Sequence, residues 1–279
     1  MIRALPADLP AITAFLRRQL PLAFYPLTNL TCHGLGTDHP KAMRFWLWHD
    51  QGELTDVLGV TGAGFLFPVF NTDVVRQTPA LLNGTRVTGI GGAPDTVAEL
   101  RIALCLRAPP VLDFTEPVYC LPLGDLVMPQ TDGLCLQPLV AAPIDLLVNW
   151  RAAFLMETQG NAVTVAQQRA RHDLKEISER DTYRVLMDGA QPVAMTGFNA
   201  AFADVVQVGG VFVPPHLRGC GFGRISVALH LAQARAEGVC SAYLAAASVA
   251  AARAYAAIGF QRQGSYAAVV YEEGQMVHG

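Results

Sequence analysis

The stretch Val211-Phe-Val-Pro-Pro-His-Leu-Arg-Gly-Cys-Gly-Phe-Gly-Arg224 constrains this chain more than any other. Residues 205–213 are rich in β-branched side chains and read as a strand. Pro214 and Pro215 must end it, because proline has no N–H to give to a ladder. Gly219, Gly221 and Gly223 then lead into a helix over Ile225–Glu237, where Ile225, Ala228, Leu229, Ala232 and Ala236 recur at helical spacing before Gly238. A strand, a glycine-rich turn and a helix start together make an anion site: unpaired N–H groups converge there, and glycine lets the main chain approach a phosphate closely. The charges agree, since no acidic residue stands between Asp204 and Glu237 while Arg218, Arg224 and Arg235 do. A Walker loop is excluded because no lysine is near, and a dinucleotide loop because these glycines alternate strictly.

The stretch resembles the pyrophosphate loop of the GNAT superfamily of acyl-CoA N-acyltransferases. That pattern, Arg/Gln-x-x-Gly-x-Gly/Ala, is matched by Arg218, Gly221 and Gly223, with the family's preceding valine and proline at Val213 and Pro215. A second segment follows at the family's distance. Residues 241–247 read as the next strand, and Ser248–Phe260 resembles the helix Asn-x-x-Ala-x-x-x-Tyr-x-x-x-Gly-Phe. Ala251, Tyr255, Gly259 and Phe260 match; Ser248 replaces the asparagine and is itself a good helix N-cap.

The resemblance implies an α/β (α+β) fold: a mixed, mostly antiparallel sheet, splayed at its centre and flanked by helices. It also implies direct transfer of an acyl group, most simply acetyl from acetyl-CoA, to a primary amine. The pyrophosphate would lie on the backbone N–H groups of Arg218, Gly219, Cys220, Gly221, Phe222 and Gly223, with Arg224 at the same site. The main chain of Val211, Phe212 and Val213 would pair with the pantetheine arm as a peptide pairs with a sheet edge, and Ser248 would face that arm. Gly209-Gly210 is placed to bulge the strand and open a slot for the thioester. Tyr255 would protonate the leaving thiolate. The family's usual glutamate base falls on Gln207, which holds a water but takes no proton at neutral pH. Glu157, Asp204 and His216 remain as substitutes. Cys220 reads as loop packing, because direct transfer needs no covalent intermediate.

The chain has 279 residues, more than one such domain needs, and 52% are hydrophobic, enough for two cores. Asp8–Leu20 reads as a helix, Pro21–Thr37 as a loop or second helix, and residues 44–49 and 54–60 as a hairpin about Asp50-Gln-Gly52. Strands over 62–70, 86–90 and 117–123 and a helix over 96–106 complete a first GNAT-like unit, residues 1–130. It is degenerate: Thr88-Gly-Ile-Gly-Gly-Ala-Pro lacks the arginine and the alternating glycines, so one CoA site per chain is expected. Turn-rich residues 122–133 read as the boundary, and residues 131–279 as the catalytic unit. That unit opens with a strand over 134–139 and helices over 145–157 and 162–180. The alternating charges of Arg169–Arg184 mark a solvated helix face.

A net charge of −3 argues against nucleic acid as a partner, and no apolar run reaches the roughly 18 residues of a membrane span. The six scattered cysteines and the absence of a signal-peptide pattern suggest a reduced, cytoplasmic protein. The histidines lack metal-ligand spacing, so no metal is expected. The acceptor is a small-molecule or protein amine, and monomer and homodimer both stay open. Two other functions fit less well. A CoA-binding regulatory protein without catalysis is suggested by Gln207 and Ser248, and a nicotinamide oxidoreductase would need NADH in place of CoA.

Overall fold

The computed structural model describes residues 1–278. In chain order it begins with β1 (Ile2–Arg3), α1 (Leu9–Arg18), α2 (Phe24–His33), β2 (Met43–Asp50), β3 (Glu53–Thr61), β4 (Phe65–Val69), α3 (Thr78–Leu81), β5 (Arg86–Gly92), α4 (Pro94–Ala103) and β6 (Leu112–Pro122). It continues with β7 (Cys135–Pro138), α5 (Ile144–Gln159), α6 (Val163–Arg180), β8 (Tyr183–Asp188), β9 (Gln191–Phe202), β10 (Val205–Phe212), α7 (Phe222–Ala236), β11 (Ser241–Ala245), α8 (Val249–Ala256) and β12 (Gln261–Met276).

Local chemistry explains most of these elements. The β2–β3 hairpin turns on Gln51 and Gly52, at φ of 48° and 89°, the left-handed pair that a two-residue hairpin turn requires. α1 buries Ile12, Phe15 and Leu16 and leaves Arg17 and Arg18 outside. α6 buries only Ala166, Ala170 and Leu174, so its alternating charges form the solvated face that the sequence suggested. The segment after Pro21, open between loop and helix from sequence, is α2, held by the buried side chains Phe24, Leu27 and Leu30.

The chain forms two compact units, and the first is built from two separate segments of the sequence. One is Met1–Pro117 together with the chain from Gly264 onward; the other is Val118–Gln263. The single boundary near residue 130 is therefore replaced by two crossings. Within the first unit the strand order is β1-β2-β3-β4-β5-β12, and within the second β7-β8-β9-β10-β11-β6. Each unit has one parallel neighbour pair, β4 with β5 and β10 with β11. The last strand in each unit's order comes from the other half of the sequence. β12 pairs antiparallel with β5 from Ala267↔Gly92, and β6 with β11 from Ser241↔Pro122 to Ala245↔Val118.

Core composition shows why the exchange holds. Ala267, Val269, Tyr271 and Val277 are buried with Leu58, Leu66, Ile90 and Leu100 of the first unit. Leu121, Leu123 and Leu126 are buried with Val206, Val208, Val227 and Leu231 of the second. A second core on the opposite face of that sheet joins α5 and α6 to Tyr183, Val185, Met195 and Phe212. No helix among the described residues is long and apolar enough to cross a membrane.

A fragment of residues 131–279 lacks β6 and three fully or nearly buried leucines, which exposes one edge of β11. It should show no cooperative thermal transition by circular dichroism, whereas residues 118–263 should melt cooperatively. Cooperative melting of 131–279 would instead support a boundary at residue 130.

Candidate active site

β10 and β11 run side by side for only three residue pairs, Val205↔Ser241, Val206↔Ala242 and Gln207↔Tyr243. Beyond Gln207, β10 continues to Phe212 with pairing on the β9 side alone. The main chain of Val208–Phe212 thus has an open edge toward β11, into which an extended ligand arm can pair. The β9–β10 ladder slips between Gln207 and Val208 and again between Gly209 and Phe212, so the expected bulge at Gly209-Gly210 is present.

The chain leaves β10 through Pro214, makes a single turn at Pro215–Leu217, and enters α7 at Phe222. Gly219 and Gly221 sit at φ of 84° and 82°, where an L side chain is strained. Backbone N–H groups from Gly219 to Arg224 take part in no hydrogen bond among the described residues. Such a run at the start of a 15-residue helix forms an anion cradle. The N–H of Arg218, expected to belong to the cradle, is instead bonded to Pro215 O at 3.3 Å.

The two arginines of the loop are used differently. Arg218 turns away from the helix start: its Nε donates to Val213 O at 3.0 Å, and its Nη2 donates to both carboxylate oxygens of Glu157, at 2.9 and 2.8 Å. Its guanidinium also stands 5.8 Å from the Phe212 ring centre. This brace ties the loop to the end of β10 and to the last turn of α5. As an exposed ion pair it is worth at most about 1 kcal/mol, so its effect is on loop shape more than on stability. Glu157, a candidate base from sequence, is thus engaged with the loop arginine. Arg224 lies against Gly221, exposed, with no ion pair among the described residues.

Val211 and Val213 face the first turn of α7 at Gly223, and Phe212 between them is buried against Trp150, so at Phe212 only the main chain is presented. Phe222 is half-buried in the core beneath α7, and Cys220 is exposed. Ser248 caps α8, its hydroxyl accepting the Ala251 N–H at 3.1 Å, which commits one lone pair of the group expected at the pantetheine arm.

Tyr255 on α8 is buried with Val206 and Val208 and packs edge-on against Phe260. Burial pushes its phenol up to about 12, so it stays protonated at neutral pH. Gln207 alternates with Val206 and Val208 along β10 and so faces the other side of the sheet. The two residues therefore flank the split from opposite faces. Beside Gln207, on the adjoining strands, Tyr243 and Cys120 form a row in direct register. Burial raises the pKa of both groups. Sequence reading missed this row, because Cys120 precedes Tyr243 by more than a hundred residues and no motif joins them.

Asp204 lies in the turn before β10, on the closed side of the ladder, and its carbonyl accepts the N–H groups of Cys240 and Ser241. His216 is exposed in the loop. His230, buried and stacked on Phe198, is pushed down to about 3 by burial and by the nearby charge of Arg184. No cluster of histidine, cysteine and carboxylate side chains among the described residues is arranged to hold a metal.

The first unit contrasts at the corresponding place. Its parallel pair is Phe65↔Gly89 and Leu66↔Ile90. A side chain on Gly92 would come 3.1 Å from Pro68 O, so β4 and β5 stay close beyond the ladder. The N–H groups of Asn71 and Thr72, just after β4, are taken by the fully buried carboxylate of Asp56 at 2.7 and 2.8 Å, and the Thr72 hydroxyl donates to the same group. Topology thus puts the counterpart of the phosphate turn after β4, not in the 88–94 segment considered from sequence. An internal carboxylate fills it.

Comparison with known proteins agrees with this geometry. Residues 148–260 match the model of the Acetyltransferase (GNAT) family. A GCN5-related N-acetyltransferase from Sphaerobacter thermophilus is similar in structure, with a TM-score of 0.58 at 14% identity, over 99% of this chain and 97% of that one. A GNAT-family acetyltransferase from Colwellia psychrerythraea has a TM-score of 0.51 at 12% identity, over 98% and 100%. A tandem GNAT protein from the clavulanic acid biosynthesis pathway has a TM-score of 0.51 at 13% identity, over 93% and 92%. No curated protein matches the chain. The chain has the GNAT fold, and the family match falls within its second unit.

Gly221→Asp places a carboxylate in the cradle, and like charges in contact cost several kcal/mol. Calorimetry should show CoA binding weakened roughly a hundredfold or more, with a cooperative melt retained at a somewhat lower temperature because of the left-handed backbone at this position. Full affinity in the folded variant would exclude this loop as the phosphate site.

Proposed function

We propose that the chain is an acyl-CoA-dependent N-acyltransferase that moves acetyl from acetyl-CoA to a primary amine by direct transfer. The observation that carries this reading is the run of open N–H groups from Gly219 to Arg224, placed at the end of a strand whose partner has diverged. Acetyl-CoA supplies an activated acyl group and a thiolate leaving group. The cradle and Arg224 suit its phosphates, and the open edge of Val208–Phe212 suits an arm that carries amide groups.

The residues around the split divide the proton work. Tyr255, neutral and buried on the α7–α8 side, is the general acid toward the departing sulfur. Gln207, on the other face, orients a water beside the incoming amine. The acceptor is a small-molecule or protein amine in a cytoplasmic setting, without nucleic acid or membrane as a partner.

Thiol release from acetyl-CoA with a broad panel of primary amines tests the reading. Tyr255→Phe keeps the ring and removes the proton, so turnover should fall by about 10²–10⁴ while CoA affinity stays within about twofold. Full turnover in Tyr255→Phe would remove this residue from the chemistry. CoA binding without thiol release from any amine would favour a regulatory CoA-binding protein.

A further inference from the structure

Three glycines of the second unit give their side-chain space to two residues. A Cβ on Gly197 or Gly210 would collide with the ring of Tyr183, and one on Gly209 would collide with the side chain of Asn199. Gly210 also stands at φ of 61°. The ladder explains how Asn199 reaches this place. Gln207 pairs with Ala200 and Val208 with Phe198, so Asn199 is the extra residue of a bulge in β9, re-aimed across β10.

Asn199 is exposed, yet its orientation is fixed. The buried Tyr183 hydroxyl donates to Asn199 Oδ1 at 2.8 Å. Burial is the main cause that raises the Tyr183 phenol, which keeps it a donor. With Oδ1 held, the amide's N–H₂ is turned to the open side. That side borders the split, because Gly209 lies two residues past Gln207, where the β10–β11 ladder has ended. Tyr183 packs with α5 and α6, and Tyr255 packs with α7 and α8, so Asn199 overhangs the split from the face opposite the general acid. The charges beneath it are neutralised: Arg151 donates twice to Asp173, at 2.9 and 2.6 Å. A fixed neutral donor of this kind fits a neutral oxygen.

We propose that Asn199 is a specificity-determining residue whose amide N–H₂ binds an uncharged oxygen, carbonyl or hydroxyl, carried next to the nitrogen of the acceptor amine. Tyr183 is its positioning residue. The inference rests on the acyl-transfer reading and adds the class of acceptor: amines bearing a neighbouring carbonyl or hydroxyl in preference to plain alkylamines.

Steady-state kinetics with acetyl-CoA test this on three primary amines of similar size: glycinamide, 2-aminoethanol and n-propylamine. Each amine is compared between wild type and variant, so differences in basicity cancel. Asn199→Ala should lower kcat/KM for glycinamide, 2-aminoethanol or both by roughly tenfold, mainly through the amine KM, and for n-propylamine by much less. Loss confined to glycinamide assigns a carbonyl, and loss confined to 2-aminoethanol a hydroxyl. Tyr183→Phe should shift the same ratios in the same direction by a smaller factor, with the KM for acetyl-CoA within about twofold, which a merely structural role would not produce. Equal losses on all three amines would overturn the inference and leave acyl transfer standing. Wild-type protein that releases thiol with other amines of the broad panel but with neither glycinamide nor 2-aminoethanol would also overturn the inference, and CoA binding without thiol release across that whole panel would instead contradict the acyl-transfer reading.

Discussion

The early end of the β10–β11 ladder is the constraint on which the site depends. Two parallel strands that pair for Val205–Gln207 and then separate leave the main chain of Val208–Phe212 without a partner on one side. A buried open edge of this kind is costly unless something pairs with it, so the fold is poised for an extended ligand at that position. The glycines at 209 and 210 let β10 bend there, the prolines at 214 and 215 end it, and the loop that follows presents its N–H groups at the start of α7. Strand edge, anion cradle and buried phenol all follow from where one ladder stops.

The same topology occurs twice and is equipped once. In the first unit the turn after β4 has its N–H groups satisfied by Asp56, and the helix that follows, Thr78–Leu81, has four residues against fifteen for α7. A carboxylate already seated on those N–H groups excludes a second anion by charge and by space. Within the second unit, residues 118–122 of β6 pair with β11 and cover its outer edge.

Much of the site was legible in the sequence because its signals are local. The alternating glycines, the prolines that end β10, the serine cap of α8 and the Tyr255 position each depend on neighbours within one or two turns. What was not legible depends on contacts between distant residues. Glu157 and Arg218 are 61 residues apart, so their pairing, which takes Glu157 out of the pool of simple base candidates, has no sequence signature. The exchange of β6 and β12 is invisible for the same reason, since alternation shows that a segment is a strand but not which sheet it joins. Gly209-Gly210 did signal a bulge; that Gly197, Gly209 and Gly210 make room for Tyr183 and Asn199 came only with the fold.

The central claim is that one unit carries a CoA site and the other has closed its own. Calorimetric titration of the full chain with CoA tests it most directly. The geometry predicts a stoichiometry of one CoA per chain. Two equivalents would show that Asp56 does not block the first unit, and no binding at all would contradict the assignment of the Gly219–Arg224 cradle.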